Sequence, residues 1–477
     1  MINDYARPSL ITYLDDLDET LSGEGFAGKM NVVRSDGGLM SSAAARERPV
    51  EMALSGPSGG VVGAASVASK KGVGNVLTLD MGGTSTDVSL VEDGQPETTR
   101  RTKVGYRQFT SRAIDIETVG AGGGSIARVQ LSGSLQIGPE SAGADPGPAC
   151  YGQGGTDPTV TDANVVLGRI PPSVSLGGTM ELDRDAAREA VEEIAEDRGS
   201  SVEEAAQAVI DIVNENMHGA LRVVSVERGY DPRDFGLVAF GGAGPMHANA
   251  LAALIGTDPL IVPPGPGVLS AYGFLASDIQ NEFSETYLET EMDVDGTDVA
   301  DELDRLRSEA AEWLGSEGVG EDDRRYDYFA DCRYFRQDIQ LSIPVTLETL
   351  RGGAGLDAVK EAFEARYDQQ FDFSLDAPLE IANLRVIGRG EVDGVELQER
   401  PLGDETPSDA RTGYHDVYFE ERYRETPIYD RKELRPGNRI DGPAIVVEDD
   451  ATVVIQPDHD ARIDRYGSIE ITRGETQ

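Results

Sequence analysis

The sequence predicts an α/β fold that is followed by an α+β, β-rich C-terminal region. Residues 236–262 have the order strand, glycine turn, helix and strand, which is typical of α/β architecture. Further upstream, an apolar strand from Val76 to Asp80 leads through a glycine turn into a second strand from Thr86 to Val91. A β-hairpin with a glycine-rich tip is therefore expected. Residues 380–477 hold mostly short apolar runs between Gly/Pro turns, the pattern of short strands.

Helices are predicted where apolar residues recur at helical spacing, or where small residues follow a glycine-rich start. These segments are Ser9 to Leu21, residues 55–68, a helical block at 183–229, residues 298–316 and residues 356–371. Residues 118–130 are predicted to form a second glycine-rich loop that enters a strand, and residues 138–170 to be rich in loops. With 477 residues, the chain is expected to form two or three domains.

Charge is the strongest compositional signal. The chain has 86 acidic and 42 basic residues, and its net charge is −44. A surface of this kind is repelled by nucleic acids and anionic membranes, so neither is an expected partner. The defined positions of the 56 glycines argue against a disordered acidic protein. We therefore expect a folded, halophilic protein whose dense carboxylates stay hydrated in a high-salt cytoplasm.

The cysteines and the apolar segments indicate a cytoplasmic protein. The two cysteines, Cys150 and Cys332, do not suggest a disulfide framework. No apolar run reaches the roughly 18 residues that a membrane span needs. The first residues also lack the basic and apolar regions of a secretory signal.

The sharpest motif is the hairpin tip between Asp80 and Asp87. An apolar strand delivers Asp80 to a tight turn, where glycines let backbone N–H groups approach an anion closely. Hydroxyl groups add donors, and the two carboxylates could hold Mg²⁺ beside phosphate oxygens, directly or through water. A plain hairpin turn is the alternative, but it requires neither the carboxylates nor the hydroxyls. The predicted residues are Asp80 and Asp87 in the catalytic role and Gly82, Gly83, Thr84 and Thr86 in cofactor binding.

A second motif, Gly241-Gly242-Ala243-Gly244, lies between an apolar strand and a helix. Such small residues admit a flat ring or a ribose against bare backbone, which predicts an adenosine pocket. Close packing between strand and helix is the alternative. The sequence has no Walker A pattern and does not open on a GxGxxG motif, so P-loop and Rossmann enzymes are disfavoured.

Together the segments LDMGGTSTDVSL and FGGAGP resemble the second phosphate loop and the adenosine loop of actin-like ATPases. Five further segments, in order, resemble the hydantoinase A/5-oxoprolinase/acetone carboxylase β-type family. They are SGPSGGVVGA, TVGAGGGSIA, DPGPACYGQGGTDPTVTDANVVLGR, VERGYDPRDFGLVAFGGAGPMHA and IDGPAIVVEDDATVV. The resemblance implies an actin-like (ribonuclease H-like) ATPase core. This core is expected to be incomplete at the N-terminus, because the family's first phosphate loop has no counterpart here.

The resemblance also implies a domain organisation and an activity. Residues 1–54 would be a linking remnant of the first subdomain, residues 55–285 the ATPase domain, and residues 286–477 the C-terminal α+β, β-rich domain. The implied activity is ATP-dependent hydrolysis of a cyclic amide of the hydantoin or 5-oxoproline type, with phosphoryl transfer activating the ring carbonyl. ATP and Mg²⁺ are the implied cofactors.

The implied partners are a small cyclic amide or ketone substrate and a second large subunit of the hydantoinase B type. If the protein is split, a separate chain that carries the missing N-terminal subdomain is a further partner; a mis-started reading frame or a fragment is the alternative. Two other interpretations stay open. A ketone carboxylase subunit would depend on bicarbonate, and a catalytically incomplete assembly subunit would not bind nucleotide. A sugar kinase shares the ATPase core, but the long Gly/Pro loops and the C-terminal strands fit the hydantoinase family better.

Two more groups of residues lie in segments that match the family. Gly122, Gly123, Gly124 and Ser125 are expected to face the phosphates or the transfer site. Besides Asp80, the predicted metal ligands are Cys150, Asp162 and His247, which could bind Zn²⁺ or another divalent metal with one open position. A small buried cysteine and a hydrogen-bonded histidine are the alternatives for the first and last of these.

Overall fold

A computed structural model describes residues 2–104, 107–175, 177–392, 394–395 and 397–474. Its helices are α1 (Ile2–Gly23), α2 (Ser42–Glu47), α3 (Ser55–Lys70), α4 (Val160–Val166), α5 (Arg184–Arg198), α6 (Val202–Val224), α7 (Gly244–Ile255), α8 (Leu269–Leu275), α9 (Gly296–Ser316), α10 (Leu347–Arg351) and α11 (Gly355–Phe371).

The first twelve strands are β1 (Asn31–Val33), β2 (Leu39–Ser41), β3 (Val76–Met81), β4 (Thr86–Glu92), β5 (Gln95–Pro96), β6 (Thr98–Val104), β7 (Arg107–Ile114), β8 (Ile116–Val119), β9 (Ser125–Val129), β10 (Leu135–Ser141), β11 (Gly236–Phe240) and β12 (Leu260–Val262). The others are β13 (Ile279–Thr290), β14 (Arg324–Tyr334), β15 (Leu341–Val345), β16 (Leu379–Gly390), β17 (Arg411–Phe419), β18 (Arg422–Asp430), β19 (Arg439–Asp441), β20 (Ala444–Val447), β21 (Thr452–Ile455), β22 (His459–Ile463) and β23 (Ile469–Arg473).

The main sheet has the strand order β19-β22-β23-β12-β11-β3-β4-β5, and β8 also pairs with β4. Strand β11 runs parallel to β3 and to β12, whereas β3 and β4 form the antiparallel hairpin. The central strands are apolar on both faces because helices cover both: β11 is buried at every position. Helices α6 and α7 share one core cluster with this sheet, and α3 packs on the opposite face.

The second sheet has the order β1-β2-β13-β16-β14-β15. Its long strands β13, β14 and β16 pair antiparallel, and α9 and α11 cover one face to form a separate core cluster. A smaller four-stranded sheet, β17-β18-β20-β21, lies on a further apolar cluster. Both large sheets contain strands from either side of the boundary predicted between residues 285 and 286.

Helix starts follow local side-chain chemistry. At α6, Ser201 and Glu204 form a reciprocal capping box, and Asp295 and Asp298 do the same at α9. Both helices then continue because apolar residues recur on one face, which packs on a sheet.

The predicted α/β class is confirmed, and strands dominate residues 380–477 as expected. The hairpin strands and the strand, turn, helix and strand order of residues 236–262 are also observed. The segment 138–170 is less irregular than its glycines and prolines suggest, since it contains the end of β10 and all of α4. Among the described residues, no helix combines the length and the apolarity that crossing a membrane requires.

Candidate functional site

The β3–β4 hairpin places two carboxylates opposite each other. In the antiparallel register Asp80 pairs with Asp87, and both side chains are half-buried. Burial, and then the neighbouring charge of Asp87, raises the pKa of Asp80 to about 6. Burial also raises the pKa of Asp87. A hydrogen bond of 2.6 Å from Thr118 Oγ1 to Asp87 Oδ1 opposes this rise. Two facing carboxylates in a partly dehydrated position favour a bound cation.

Asp80 differs from its partner in that no group in the described ranges donates a hydrogen bond to its carboxylate. It lies against the backbone of Gly241: a Cβ atom added there would come within 2.4 Å of Asp80 Oδ1. Gly241 also has a φ of +78°, in the left-handed region that favours glycine. The glycine is therefore required both by its own backbone conformation and by the close approach of the carboxylate.

The hairpin tip and the second glycine turn form one continuous wall. Phe240, the last residue of β11, pairs with Asp80 on the parallel strand β3, so the two loops leave the sheet side by side. Ala243 N donates to Met81 O at 3.0 Å and ties the loops together. Ligands of open α/β sheets commonly bind beyond the carboxyl ends of such strands. The wall is therefore in the expected place for a ligand.

The tip itself is open to solvent. Gly83 and Thr84 are exposed, Gly82 is half-buried, and a Cβ atom on Gly83 would meet no atom within 4 Å. Gly82 N is not free, since it donates to Ser85 O at 3.0 Å. Of the predicted phosphate-binding residues, Gly83 and Thr84 are the ones that the structure leaves accessible.

Thr86 is in a different position from the one expected. Its side chain is fully buried, and its Oγ1 donates to Ala121 O at 2.5 Å. Its hydroxyl faces the interior of the protein, because successive strand residues point to opposite faces. The structure therefore places Thr86 as a support of the hairpin, with no open path to a phosphate.

The loop Gly122–Ser125 lies behind the tip. All four residues are buried, Gly123 N donates to Gly82 O at 3.0 Å, and Gly124 N donates to Gly83 O at 2.6 Å. A Cβ atom on Gly122 would come within 2.6 Å of Thr84 N, and Ser125 Oγ accepts from Gly122 N at 2.8 Å. The loop therefore uses the N–H groups of Gly123 and Gly124 to shape the tip. That these residues also face the phosphates or the transfer site stays a prediction.

The predicted ligands Cys150, Asp162 and His247 do not assemble into a metal site. Asp162 is the N3 residue of α4 and accepts from Ala149 N (3.2 Å), Cys150 N (2.8 Å), Thr159 N (3.0 Å) and Thr159 Oγ1 (2.7 Å). Burial, and then Asp162, raises the pKa of the Cys150 thiol, so it stays protonated. Over the residues that the structure describes, no group of three or more His, Cys, Asp or Glu side chains could hold a metal.

His247 faces other partners. Its Nδ1 lies 2.8 Å from Asn214 Oδ1 and its Nε2 lies 3.3 Å from Asn164 Nδ2, so both ring nitrogens are engaged. Burial, and then the charge of Arg169, lowers the pKa of His247 to about 3. A neutral histidine with both nitrogens hydrogen-bonded inside the core serves the packing of α7 against α4 and α6.

Two clefts lie away from the hairpin wall. An open groove of about 780 Å³ is lined mainly by carboxylates of β13 and α9, among them Glu285, Asp298 and Glu302. A cavity of about 430 Å³ is lined by Arg169 and His459 together with carboxylates and aromatic rings. Neither cleft includes the hairpin tip or the Gly241 turn. The hairpin wall is the candidate site because two facing carboxylates lie there beside exposed backbone and a hydroxyl group.

The C-terminal turn between β20 and β21 also reaches this wall. A Cβ atom on Gly242 would lie 3.3 Å from Asp450 O, and one on Gly267 would lie 2.6 Å from Asp450 Oδ2. Sequence reasoning assigned no role to this acidic turn. The available signal was an acidic run directly after an apolar strand, in one of the segments that carries the resemblance.

Comparison with known proteins agrees with this architecture. Residues 1–283 match the protein family described as hydantoinase/oxoprolinase, and residues 289–473 match its C-terminal domain family. Caprolactamase subunit alpha of Pseudomonas jessenii is 35% identical over 99% of this chain and 69% of its own length. The acetophenone carboxylase gamma subunit of Aromatoleum aromaticum is 34% identical over 98% of this chain and 65% of its own length.

A solved structure extends the similarity to three dimensions. The crystal structure of the ATP-dependent caprolactamase from Pseudomonas jessenii gives a TM-score of 0.90 at 33% identity, over 98% of this chain and 69% of that one. The chain thus spans about two thirds of the length of these proteins. On these family matches, the chain belongs to the hydantoinase/oxoprolinase family.

Proposed function

We propose that this protein is the ATP-binding subunit of a two-subunit, ATP-dependent enzyme that hydrolyses a cyclic amide. The observation that carries the proposal is the free carboxylate of Asp80, at the point where the hairpin tip meets the Gly241 turn. The caprolactamase, which is ATP-dependent by name and similar over nearly this whole chain, supports ATP as the nucleotide. The arrangement also suits an actin-like core, in which phosphates lie between hairpin tips.

The residues present fit Mg²⁺ and phosphate. Asp80 and Asp87 offer hard oxygen ligands, and a cation would relieve the repulsion between these two half-buried carboxylates. At the tip, Gly83 offers exposed backbone and Thr84 a hydroxyl group to phosphate oxygens. ATP would supply a phosphoryl group that makes a stable ring carbonyl reactive toward water. The contribution of these residues is to position the phosphates and to neutralise charge.

A ketone carboxylase subunit is the second candidate, because the acetophenone carboxylase subunit is nearly as similar as the caprolactamase subunit. Both candidates act with a second large subunit and a small substrate. When the reconstituted enzyme turns over, a rate that is independent of bicarbonate supports the hydrolase, and a rate that requires bicarbonate supports the carboxylase.

The test is calorimetric titration of the chain with Mg·ATP in concentrated KCl, which screens the repulsion between the many carboxylates of this acidic chain. We expect binding that Asp80→Ala weakens by about 100-fold, since the metal ligand and its charge are both lost. Asp93→Asn is the matched control, because Asp93 lies exposed at the other end of β4 and asparagine tolerates its φ of +51°. Absence of binding by the folded, unmodified chain would instead support a catalytically incomplete assembly subunit.

A further inference from the structure

The glycine turn after β11 lies between two aspartates from distant parts of the sequence. A Cβ atom added to Gly241 would point at the carboxylate of Asp80, and one added to Gly242 would point at the backbone of Asp450. Because Cα atoms of consecutive residues are only about 3.8 Å apart, one small ligand lying on the turn would span both sides. Gly242 and Gly267 are exposed, so the side next to Asp450 is open.

Asp450 is the one carboxylate of its acidic turn that makes no hydrogen bond or close ion pair with the described residues, although its charge acts on Arg431 and Glu448. Glu448 is bonded to Arg431 Nη1 at 2.7 Å, and Asp449 is bonded to Lys432 Nζ at 2.7 Å. In the described part of the chain nothing donates a hydrogen bond to the Asp450 side chain. Its Oδ2 lies only 2.6 Å from the position that a Cβ atom on Gly267 would take. A side chain at position 267 would therefore force this carboxylate to move.

The turn that carries Asp450 is held firmly in place. Arg431 Nη2 donates to Val262 O at 3.0 Å and to Pro263 O at 2.7 Å, while Arg431 Nη1 binds Glu448. Pro266 O in turn accepts from Gly241 N at 2.9 Å. The β20–β21 turn, the loop 263–267 and the glycine turn are thereby linked by hydrogen bonds.

We propose that Asp450 accepts a hydrogen bond from a ribose hydroxyl of the nucleotide bound at this wall, which makes the site selective for ribonucleotides. This inference rests on the proposed function, which puts the phosphates on the Asp80 side of the turn. The ribose of the same nucleotide would then lie on the Gly242 side, next to the carboxylate of Asp450. Val268, 60% exposed beside Gly267, adds an apolar surface at the same opening for the base. Carboxylates recognise ribose hydroxyls in this way in dinucleotide-binding folds.

The test compares ATP, 2′-deoxy-ATP and 3′-deoxy-ATP by calorimetry with the full chain in Mg²⁺ and concentrated KCl. The unmodified protein should prefer ATP over at least one deoxynucleotide by about tenfold or more, the value of a charge-assisted hydrogen bond. Asp450→Ala should bind ATP as weakly as the unmodified chain binds that deoxynucleotide. Asp450→Asn, which keeps an oxygen acceptor, should retain part of the preference.

Asp449→Asn is the matched control, since its exposed neighbouring carboxylate is bound to Lys432, and it should keep the full preference. Equal affinities for all three nucleotides, or an undiminished preference in Asp450→Ala, would overturn the ribose contact while leaving ATP binding intact. If the unmodified, folded chain binds none of them, the proposed function fails and this inference fails with it.

Discussion

Asp80 and Asp162 are chemically identical residues in two glycine-rich parts of the molecule, and the structure uses them in opposite ways. Asp162 is completely buried and accepts four hydrogen bonds from the chain itself. Asp80 is half-buried, faces a second carboxylate, and receives no hydrogen bond from the described residues. A carboxylate whose lone pairs are satisfied internally stabilises the fold. A half-buried carboxylate that receives no hydrogen bond is available to a ligand, but it lowers the stability of the fold.

The largest change in the free energy of unfolding is expected for a substitution of Asp162. Asp162→Ala leaves three backbone N–H groups and a hydroxyl without their acceptor in a buried place, so the free energy of unfolding should fall by about 3–5 kcal/mol. Urea unfolding at constant KCl measures this. Asp157→Asn, on an exposed side chain three residues before α4 begins, should change it by less than about 0.5 kcal/mol. Similar values for the two variants would contradict the structural role of Asp162.

A smaller effect is expected at Glu448, whose half-buried carboxylate has one ion-pair partner, Arg431. Burial raises its pKa to about 7, and Asp450 adds to this, while Arg431 and the backbone N–H of Gly265 oppose it. Between the ordinary glutamate pKa and about 7, the folded state binds more protons than the unfolded state. The contribution of Glu448 to stability is therefore present at low pH and is lost as the pH rises towards and through 7.

In the Glu448→Gln variant the side chain no longer titrates, but its amide oxygen can still accept a hydrogen bond from Arg431. The stability of the unmodified protein relative to the variant should therefore fall by about 2 kcal/mol between pH 5 and pH 8. Urea unfolding of both proteins across this range measures the difference. A difference that stays constant between pH 5 and pH 8 would show that Glu448 does not titrate in this range and would contradict the prediction.

The smallest effect has the opposite sign. Asp80→Asn, measured without nucleotide or divalent metal, should raise the free energy of unfolding by about 1 kcal/mol. The substitution removes a half-buried charge that has no donor and faces Asp87. The same variant should lose Mg·ATP affinity. Thermal unfolding beside the Asp93→Asn control measures the change, and a clear destabilisation would mean that Asp80 has a structural partner like that of Asp162.

The pattern of apolar residues and glycines along the sequence was sufficient to predict the backbone elements that form the site. The hairpin strands begin at Val76 and Thr86 as predicted, because apolar residues at short range and the paired glycines leave few other conformations. The same holds for the glycine turn after β11. The predicted zinc ligands failed because residue type alone cannot reveal hydrogen-bond partners: His247 is held by Asn164 and Asn214, from two other helices.

The sequence by itself therefore determined the α/β class, the hairpin with its two carboxylates, the glycine turn and the family, since these depend on neighbouring residues and on ordered motifs. The tertiary structure decided which polar groups are free. Thr86 and the loop Gly122–Ser125 are buried behind the tip, whereas Asp450 arrives beside Gly242 from more than 200 residues away. That outcome depends on which strands share a sheet and on which donors are already bonded, and both are set by contacts between segments that are far apart in the chain.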